Sequence, residues 1–174
     1  MLIPTGLAGC RLRPWAVTDK ASLLRHANSR QIWRNLTHLF PHPYTEADAD
    51  DWLSVSNQLA PSLHLAIEYE HEAVGGIGIL AGEGISAHVG RLGYWLGEQY
   101  WGRGIATAAA QAMIRHAFTG SLFLRLEAQV FEWNPSSMRV LEKVGFVREA
   151  VLKHSVQKDG ELIDSVLFAL VRSA

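Results

Sequence analysis

Gly93-Tyr94-Trp95-Leu96-Gly97-Glu98-Gln99-Tyr100-Trp101-Gly102-Arg103-Gly104-Ile105-Ala106 is the stretch that decides the fold of this chain. Tyr94, Trp95 and Leu96 suit a buried strand, where large apolar side chains pack on a pleated surface. The alanine-rich run Ile105–Phe118 suits a helix, since alanine has the highest helix propensity. Gly102 and Gly104 bracket Arg103 where that helix begins. The first N–H groups of a helix lack intrahelical acceptors and point outward together. With the helix dipole they form an anion site that a diphosphate can occupy. Glycines let the anion reach the backbone, and Arg103 adds charge. By themselves the two glycines serve a tight turn equally well. Gln99-x-x-Gly102-x-Gly104-x-Ala106 directly after an aromatic strand favours the anion site.

Upstream of this stretch, Ala87–Leu96 forms the strand that feeds the turn. Before it, Leu63, Leu65, Ile67 and Tyr69 alternate with His64, Ala66, Glu68 and Glu70, the pattern of a half-buried strand. A turn at His71-Glu72 leads to a further strand ending near Leu80. The glycines dense between Gly75 and Gly97 mark turns, bulges or close backbone approach. Earlier still, Arg11–Trp15 reads as a first strand ended by Pro14. Thr18 is placed to cap a helix to about Asn28, with Ala21, Leu24 and Ala27 on one face. Ile32–Tyr44 carries Pro41-His42-Pro43, so it is a loop with large apolar groups. Thr45 with Asp48 is a capping-box pattern for a second helix to about Gln58.

Downstream, Leu122, Leu124, Leu126, Ala128 and Val130 alternate as another strand. Asn134 caps a helix with Pro135 at its first position and Gly145 as its stop. Two final strands, Phe146–Val156 and Leu162–Val171, join at Lys158-Asp159-Gly160, a hairpin signal. Strands and helices in this order give an α/β or α+β domain with a mixed sheet. No linker, repeat or low-complexity tract divides it.

The chain has 174 residues, enough for one domain with a real core. Sixteen Lys and Arg against seventeen Asp and Glu leave a net charge of -1. A general nucleic-acid binder would carry a basic surplus, so none is expected as partner. The single cysteine, Cys10, excludes an internal disulfide and fits a reducing compartment, as a packing residue rather than a nucleophile. No apolar run approaches the ~20 residues of a membrane helix, and Met1–Gly6 lacks the features of a signal peptide. The expectation is a soluble cytoplasmic protein, monomer or homodimer, with no membrane partner.

The stretch at Gln99–Ala106 resembles the acetyl-CoA-binding motif of the GNAT superfamily of N-acyltransferases, Gln/Arg-x-x-Gly-x-Gly/Ala. A second match lies at Asn134-Pro135-Ser136-Ser137 and Leu141-Glu142-Lys143-Val144-Gly145-Phe146. It is similar to the signature of the Rim-type branch, which includes ribosomal-protein N-terminal acetyltransferases. The resemblance implies a GNAT fold in a single domain over residues 1–174, with its core at about 11–172. That fold has a mixed, mostly antiparallel sheet splayed between its strands 4 and 5 and flanked by about four helices. Pantetheine enters the splay from one side and the amine from the other.

The resemblance also implies the cosubstrate, acetyl-CoA, no metal, and an amine acceptor that is a peptide N-terminus or a small molecule. It assigns cofactor binding to Trp95, Leu96, Gly97, Gln99, Gly102, Arg103, Gly104, Ile105, Ala106 and Thr107, joined by Asn134 and Ser137. An N–H of the Trp95–Gly97 segment polarises the carbonyl, an effect worth ~3–4 kcal/mol per donor. Substrate binding falls to the Ile32–Asp51 region, with Trp33, Phe40 and Tyr44 as pocket walls. The acidic run Glu46, Asp48, Asp50 and Asp51 either attracts a cationic substrate or is a solvated helix face.

Many members place a tyrosine as general acid four residues before the Gly-Phe glycine. Here that residue is Leu141, and the Rim-type substitute is Ser137. Asn134 and Ser137 are therefore the catalytic candidates, each with a plain helix-capping role as the alternative. A glutamate commonly stands where this chain has Arg91, which leaves no inherited base. Glu68, His64 and His88 are the other titratable candidates, or no enzyme base acts. Against the enzyme stand a non-catalytic acyl-CoA-binding module and a P-loop nucleotide binder. The last lacks the Gly-Lys-Ser/Thr ending its loop requires.

Overall fold

The computed structural model describes residues 1–120 and 123–172. Eight strands form one sheet: β1 (Ile3–Pro4), β2 (Cys10–Arg13), β3 (Leu63–Tyr69), β4 (Glu72–Ala81), β5 (Val89–Leu96), β6 (Arg125–Phe131), β7 (Val147–Lys158) and β8 (Glu161–Val171). Their order is β1-β2-β3-β4-β5-β6-β8-β7. All neighbours are antiparallel except β5 and β6, which run parallel. Leu122, expected to open the sixth strand, lies outside the described residues.

β5 and β6 pair only at Val89↔Arg125, Gly90↔Leu126 and Arg91↔Glu127. Both strands run on, to Leu96 and Phe131. Each keeps its outer partner to the end: Leu96 pairs with Gly75 of β4, and Phe131 with Ser165 of β8. The sheet therefore forks between them, as the splay predicted.

Five α-helices flank the sheet: α1 (Lys20–Ala27), α2 (Arg30–Trp33), α3 (Glu46–Val55), α4 (Ile105–Thr119) and α5 (Pro135–Lys143). α4 buries Ile105, Ala109, Ala110, Met113 and Ala117 against one face, within a core that includes Ile77, Ile79, Leu92, Leu126, Leu141 and Phe168. On the other face α1 and α3 cover a smaller core of Trp15, Leu23, Ala27, Tyr44, Ala49 and Ala66. Trp95 packs on that second core and Tyr94 on the first, as alternation along a strand requires.

Several local expectations hold. Thr45 accepts from the Asp48 N–H at 3.3 Å and Asp48 accepts from the Thr45 N–H at 2.7 Å, a capping box that starts α3. The hairpin between β7 and β8 turns through Asp159 (φ 54°) and Gly160 (φ 79°). Two consecutive positive φ values match the twist of the flanking strands.

Others are corrected. α1 starts two residues after Thr18, behind a 3-10 turn at Val17–Asp19. The Asp19 carboxylate accepts from Arg13 at 2.7 and 2.8 Å and from the Ala16 N–H at 2.9 Å, which makes Ala16 the cap. The buried face is accordingly Ser22, Leu23, His26 and Ala27 rather than one through Ala21 and Leu24. The Ile32–Tyr44 region is not all loop. Ser29 accepts from the Ile32 N–H at 3.2 Å and opens the short α2.

β3 is not half-exposed, because α1 and α3 cover its second face; Ala66 and Glu68 are both buried. Glu68 survives there by pairing with Arg11 and Arg13. Burial alone raises its carboxyl pKa, but the hydrogen bonds from Arg13 and Arg11 outweigh this and hold it below the ordinary value. A depressed folded pKa means stability present above the unfolded value and lost as pH falls through the folded one. Glu68→Gln is therefore expected to lower the unfolding free energy at pH 7 by about 3 kcal/mol. In denaturant titrations that deficit shrinks below about pH 4; a deficit independent of pH removes the ion pair as its cause.

Candidate active site

The fork opens where β5 loses β6. Gly97 donates its N–H to the Val74 carbonyl at 2.8 Å, and Gly82 donates to Val89 at 2.8 Å. In a regular ladder the N–H and C=O of alternate residues face opposite neighbours. Odd-numbered residues from Val89 to Gly97 thus address β4, and Tyr94 and Leu96 address the fork. Of Trp95, Leu96 and Gly97, it is Leu96 whose amide faces the opening. The Leu96 carbonyl is taken by Trp101 Nε1 at 2.7 Å. Gly97 has a packing reason to lack a side chain: a Cβ there would meet the His26 ring at 3.1 to 3.2 Å. The same ring contacts Glu72 Oε1 at 2.8 Å, tying α1 to the sheet beside the turn.

Beyond a 3-10 turn at Glu98–Tyr100, Gly102 (φ 75°) and Gly104 (φ 77°) swing the chain into α4. These left-handed conformations are why both positions are glycine. The first helical bond is Ala108 N–H to Gly104 at 3.0 Å, which leaves the amides of Ile105, Ala106 and Thr107 without intrahelical acceptors. A Cβ built on Gly102 or Gly104 meets nothing within 4 Å. The amides thus open onto free space of the kind a diphosphate needs. Gln99 lies in the 3-10 turn, and Arg103 sits 5.5 Å from the Tyr100 ring.

On the same face, α5 begins across the fork. Asn134 Oδ1 accepts from the Ser137 N–H at 3.2 Å, so the cap role is filled by the oxygen. The Nδ2 donors of Asn134 make no hydrogen bond among the described residues. Tyr94 Oη lies 2.8 Å from Ser137 Oγ, a contact in which either oxygen can donate, and 3.3 Å from the Ser137 carbonyl, a second acceptor for the single phenol hydrogen. Burial pushes the Tyr94 phenol up to about 12, against the lowering effect of its bond with Ser137. Leu141, at the position of the family tyrosine, is fully buried in the core.

The opposite face holds the residues expected to wall a substrate pocket. Phe40 joins Tyr44 and Trp95, with ring centroids 5.4 and 5.6 Å apart. Tyr44 is buried in the core there, and burial raises its phenol pKa well above the ordinary value. Trp33 stands apart from this trio: Lys158 Nζ lies 3.9 Å over its ring, and His42 is 5.8 Å away. Lys158 is 7% exposed, and burial lowers its pKa against the opposing pull of Asp159. Asp159 in turn pairs with Arg30 at 2.8 Å and Arg34 at 3.6 Å, while Arg34 lies 3.9 Å over Trp133. The β7–β8 turn is thus fastened to α2 by ion pairs and cation–π contacts. The contacts of Lys158, Arg34 and Tyr94 were not foreseen from sequence, because their partners lie far along the chain. Only the uninterrupted apolar setting of Tyr94 hinted at burial.

Among the titratable candidates, Glu68 is locked between two arginines. His64 lies 5.3 Å from Trp52 with its Nε2 buried and unpartnered, and burial lowers its pKa. His64, Gly78 and Gly93 form one row across the sheet, and a Cβ on Gly93 would meet open space. His88 precedes β5 at the closed end of the fork, and its carbonyl accepts from Leu124 at 2.9 Å. Arg91 is exposed beside Glu127, which accepts from Arg125 Nε at 2.8 Å. The acidic run divides: Lys20 pairs with Glu46 at 3.3 Å and Asp50 at 2.9 Å, and Asp48 is the capping residue. Among the described residues no group of three or more His, Cys, Asp or Glu is placed to hold a metal ion, and no helix is long and apolar enough to cross a membrane.

Comparison with known proteins agrees with this geometry. Residues 10–147 match the model of the acetyltransferase (GNAT) domain. The N-acetyltransferase p20 of Bacillus licheniformis is 30% identical over 171 residues, 92% of each chain. The structure of RimL, a ribosomal L7/L12 alpha-N-protein acetyltransferase in complex with coenzyme A, superposes with a TM-score of 0.86 at 20% identity, over 98% of each chain. Mycobacterium smegmatis RimJ in complex with a CoA-disulfide gives 0.84 at 29% identity, over 98% of this chain and 85% of RimJ. A forked sheet, a helix N-terminus opening beside it and a match over most of the length lead to one conclusion: the chain belongs to the GNAT acetyltransferases, N-acetyltransferases whose acyl donor is acetyl-CoA.

Proposed function

We propose that this enzyme acetylates the α-amine of a peptide by direct attack on acetyl-CoA within a ternary complex. The observation that carries the proposal is the fork between β5 and β6, with the amides of α4 at one face of the sheet and the Trp33–Phe40–Tyr44 region at the other. Acetyl-CoA supplies the activated acetyl thioester. The amides of Gly102–Thr107 and the Arg103 side chain hold its diphosphate, and Gln99 stays at the turn beside them. Tyr94 and Leu96 offer the strand edge to the pantetheine amides, with Trp95 and Gly97 shaping that edge from the β4 side. The Leu96 N–H polarises the carbonyl. Asn134 donates through Nδ2 near the thioester, and Ser137 serves the leaving sulfur, whose thiol pKa near ~8.5 requires only a weak donor.

Preference for an α-amine rests on what the substrate face lacks. Glu68 is committed to Arg11 and Arg13, Arg91 replaces the usual carboxylate, and His64 Nε2 is buried against Trp52. An α-amine, with pKa ~7.7–8.0, is partly free base near neutrality, whereas lysine at ~10.4 pays roughly 3.5 kcal/mol more to deprotonate. Lys158 and Arg34 beside Trp33 and Trp133 also disfavour a polycationic acceptor. That RimL is a ribosomal L7/L12 alpha-N-protein acetyltransferase supports the same choice.

Thiol release from acetyl-CoA, followed with one α-amine peptide and one blocked-terminus lysine peptide over a pH range, tests this. The rate is expected to rise towards the amine's own pKa and to favour the α-amine peptide. A plateau near pH 6.5 shared by both would mean an enzyme base. No release with either would leave only a binding module. For the diphosphate site, Gly104→Asn is informative because Asn tolerates positive φ. It is expected to raise the acetyl-CoA Kd about tenfold or more by calorimetry, with the fold retained; an unchanged Kd places the phosphates elsewhere. Leu141→Tyr, which restores the family residue, is expected to cost about 1–3 kcal/mol of stability by overpacking. An activity gain without that loss contradicts the core placement of residue 141.

A further inference from the structure

We infer that Tyr94 is the positioning residue for the acid step of this reaction: its hydroxyl spans the fork from β5 and holds Ser137 with the serine hydrogen turned to the thioester sulfur. The inference rests on the assignment of Ser137 proposed above. Ser137 is gripped at three atoms. Its N–H goes to Asn134 Oδ1 at 3.2 Å, and its Oγ and carbonyl oxygen lie 2.8 and 3.3 Å from Tyr94 Oη, whose single hydrogen goes to Oγ, the shorter contact, in this inference. An unassisted first-turn serine would turn its hydroxyl back onto its own helix. A donor at Oγ opposes that, because the phenol fills one lone pair and leaves the serine hydrogen to point elsewhere.

The proton balance defines what Tyr94 contributes. The amine nitrogen forms the C–N bond, the C–S bond breaks, and its electron pair goes to sulfur. The sulfur takes the proton of Ser137 Oγ, and the serine regains one from the nitrogen through water. While Oγ carries negative charge, a hydrogen bond from Tyr94 stabilises it, since a bond to the charged form favours that form. Tyr94 does not give up its own proton: burial pushes the phenol up to about 12, so it remains a donor throughout. The residue stands on the opposite branch of the fork from Leu141, so a chain without the family tyrosine still places a phenol behind its proposed acid, Ser137.

The test is a cycle of Tyr94→Phe, Ser137→Ala and the double variant, read as kcat, as acetyl-CoA Kd by calorimetry, and by tyrosine 13Cζ resonances. Ser137→Ala is expected to lower kcat about 100-fold, and Tyr94→Phe about tenfold. The double variant should be no slower than Ser137→Ala alone, since Tyr94 acts only through Ser137. Kd should stay within about twofold in all three, and the Tyr94 resonance, assigned by its loss in Tyr94→Phe, should shift in Ser137→Ala. Full kcat in Ser137→Ala overturns the acid assignment itself. A slow Ser137→Ala with an unaffected Tyr94→Phe, multiplicative effects in the double variant, or an unmoved Tyr94 resonance overturns the inference alone.

Discussion

The structure depends on a sheet that stops closing on itself at Arg91 and Glu127 while both strands continue. Backbone N–H and C=O groups left without partners in a protein interior cost free energy comparable to a lost hydrogen bond. β5 and β6 each satisfy one edge through β4 and β8 and leave the facing edges unpaired with each other beyond Arg91 and Glu127, with the Leu96 carbonyl serving Trp101 Nε1 and the Phe131 carbonyl the Asn134 N–H. A pair of inner edges is ready to accept an extended amide-bearing chain, which is the chemical nature of pantetheine. α4 and α5 start at the two sides of the same gap, and the proposed cofactor binding and acyl transfer both centre on it.

Side-chain contacts flank the gap on both faces of the sheet. Tyr94 reaches Ser137 on one face, and Trp95 meets Phe40 on the other. The β7–β8 turn is fastened to α2 through Asp159 with Arg30 and Arg34, and through Lys158 with Trp33. Exposed ion pairs contribute little individually, about 0–1 kcal/mol. Of the charged groups at that junction, Lys158 is the buried one, with its ammonium over the Trp33 ring. Charge on this face is thus used internally, which leaves little of it to act as a base on the incoming amine.

Much of the fork was legible in the sequence because its determinants are local. Gly102 and Gly104 before an alanine-rich run, Asn134-Pro135 before Gly145, and Asp159-Gly160 between alternating runs each state a turn through backbone chemistry that neighbours do not override. The Tyr94–Ser137 contact was not legible, since the residues are 43 positions apart and meet only through the tertiary arrangement of β5 and α5. Glu68 read as an exposed strand residue because alternation cannot report that α1 and α3 cover the second face. The start of α1 was misplaced for a similar reason: Arg13 draws the Asp19 carboxylate into an ion pair, and the helix begins after it. Gly97 was grouped with Trp95 and Leu96 as a pantetheine contact, and sequence could not report that the His26 ring leaves no room for a side chain there.

Residue-resolved amide hydrogen exchange with and without acetyl-CoA tests the central claim, that the inner edge of β5 and the start of α4 receive the cofactor. The account predicts slower exchange on binding at Tyr94, Leu96 and Ile105–Thr107, beyond the uniform slowing that any ligand gives by mass action. Gly97, whose N–H already serves Val74, should show only the uniform change. Protection spread evenly over β4, β5 and α4, or centred on Trp95 and Gly97, would contradict it.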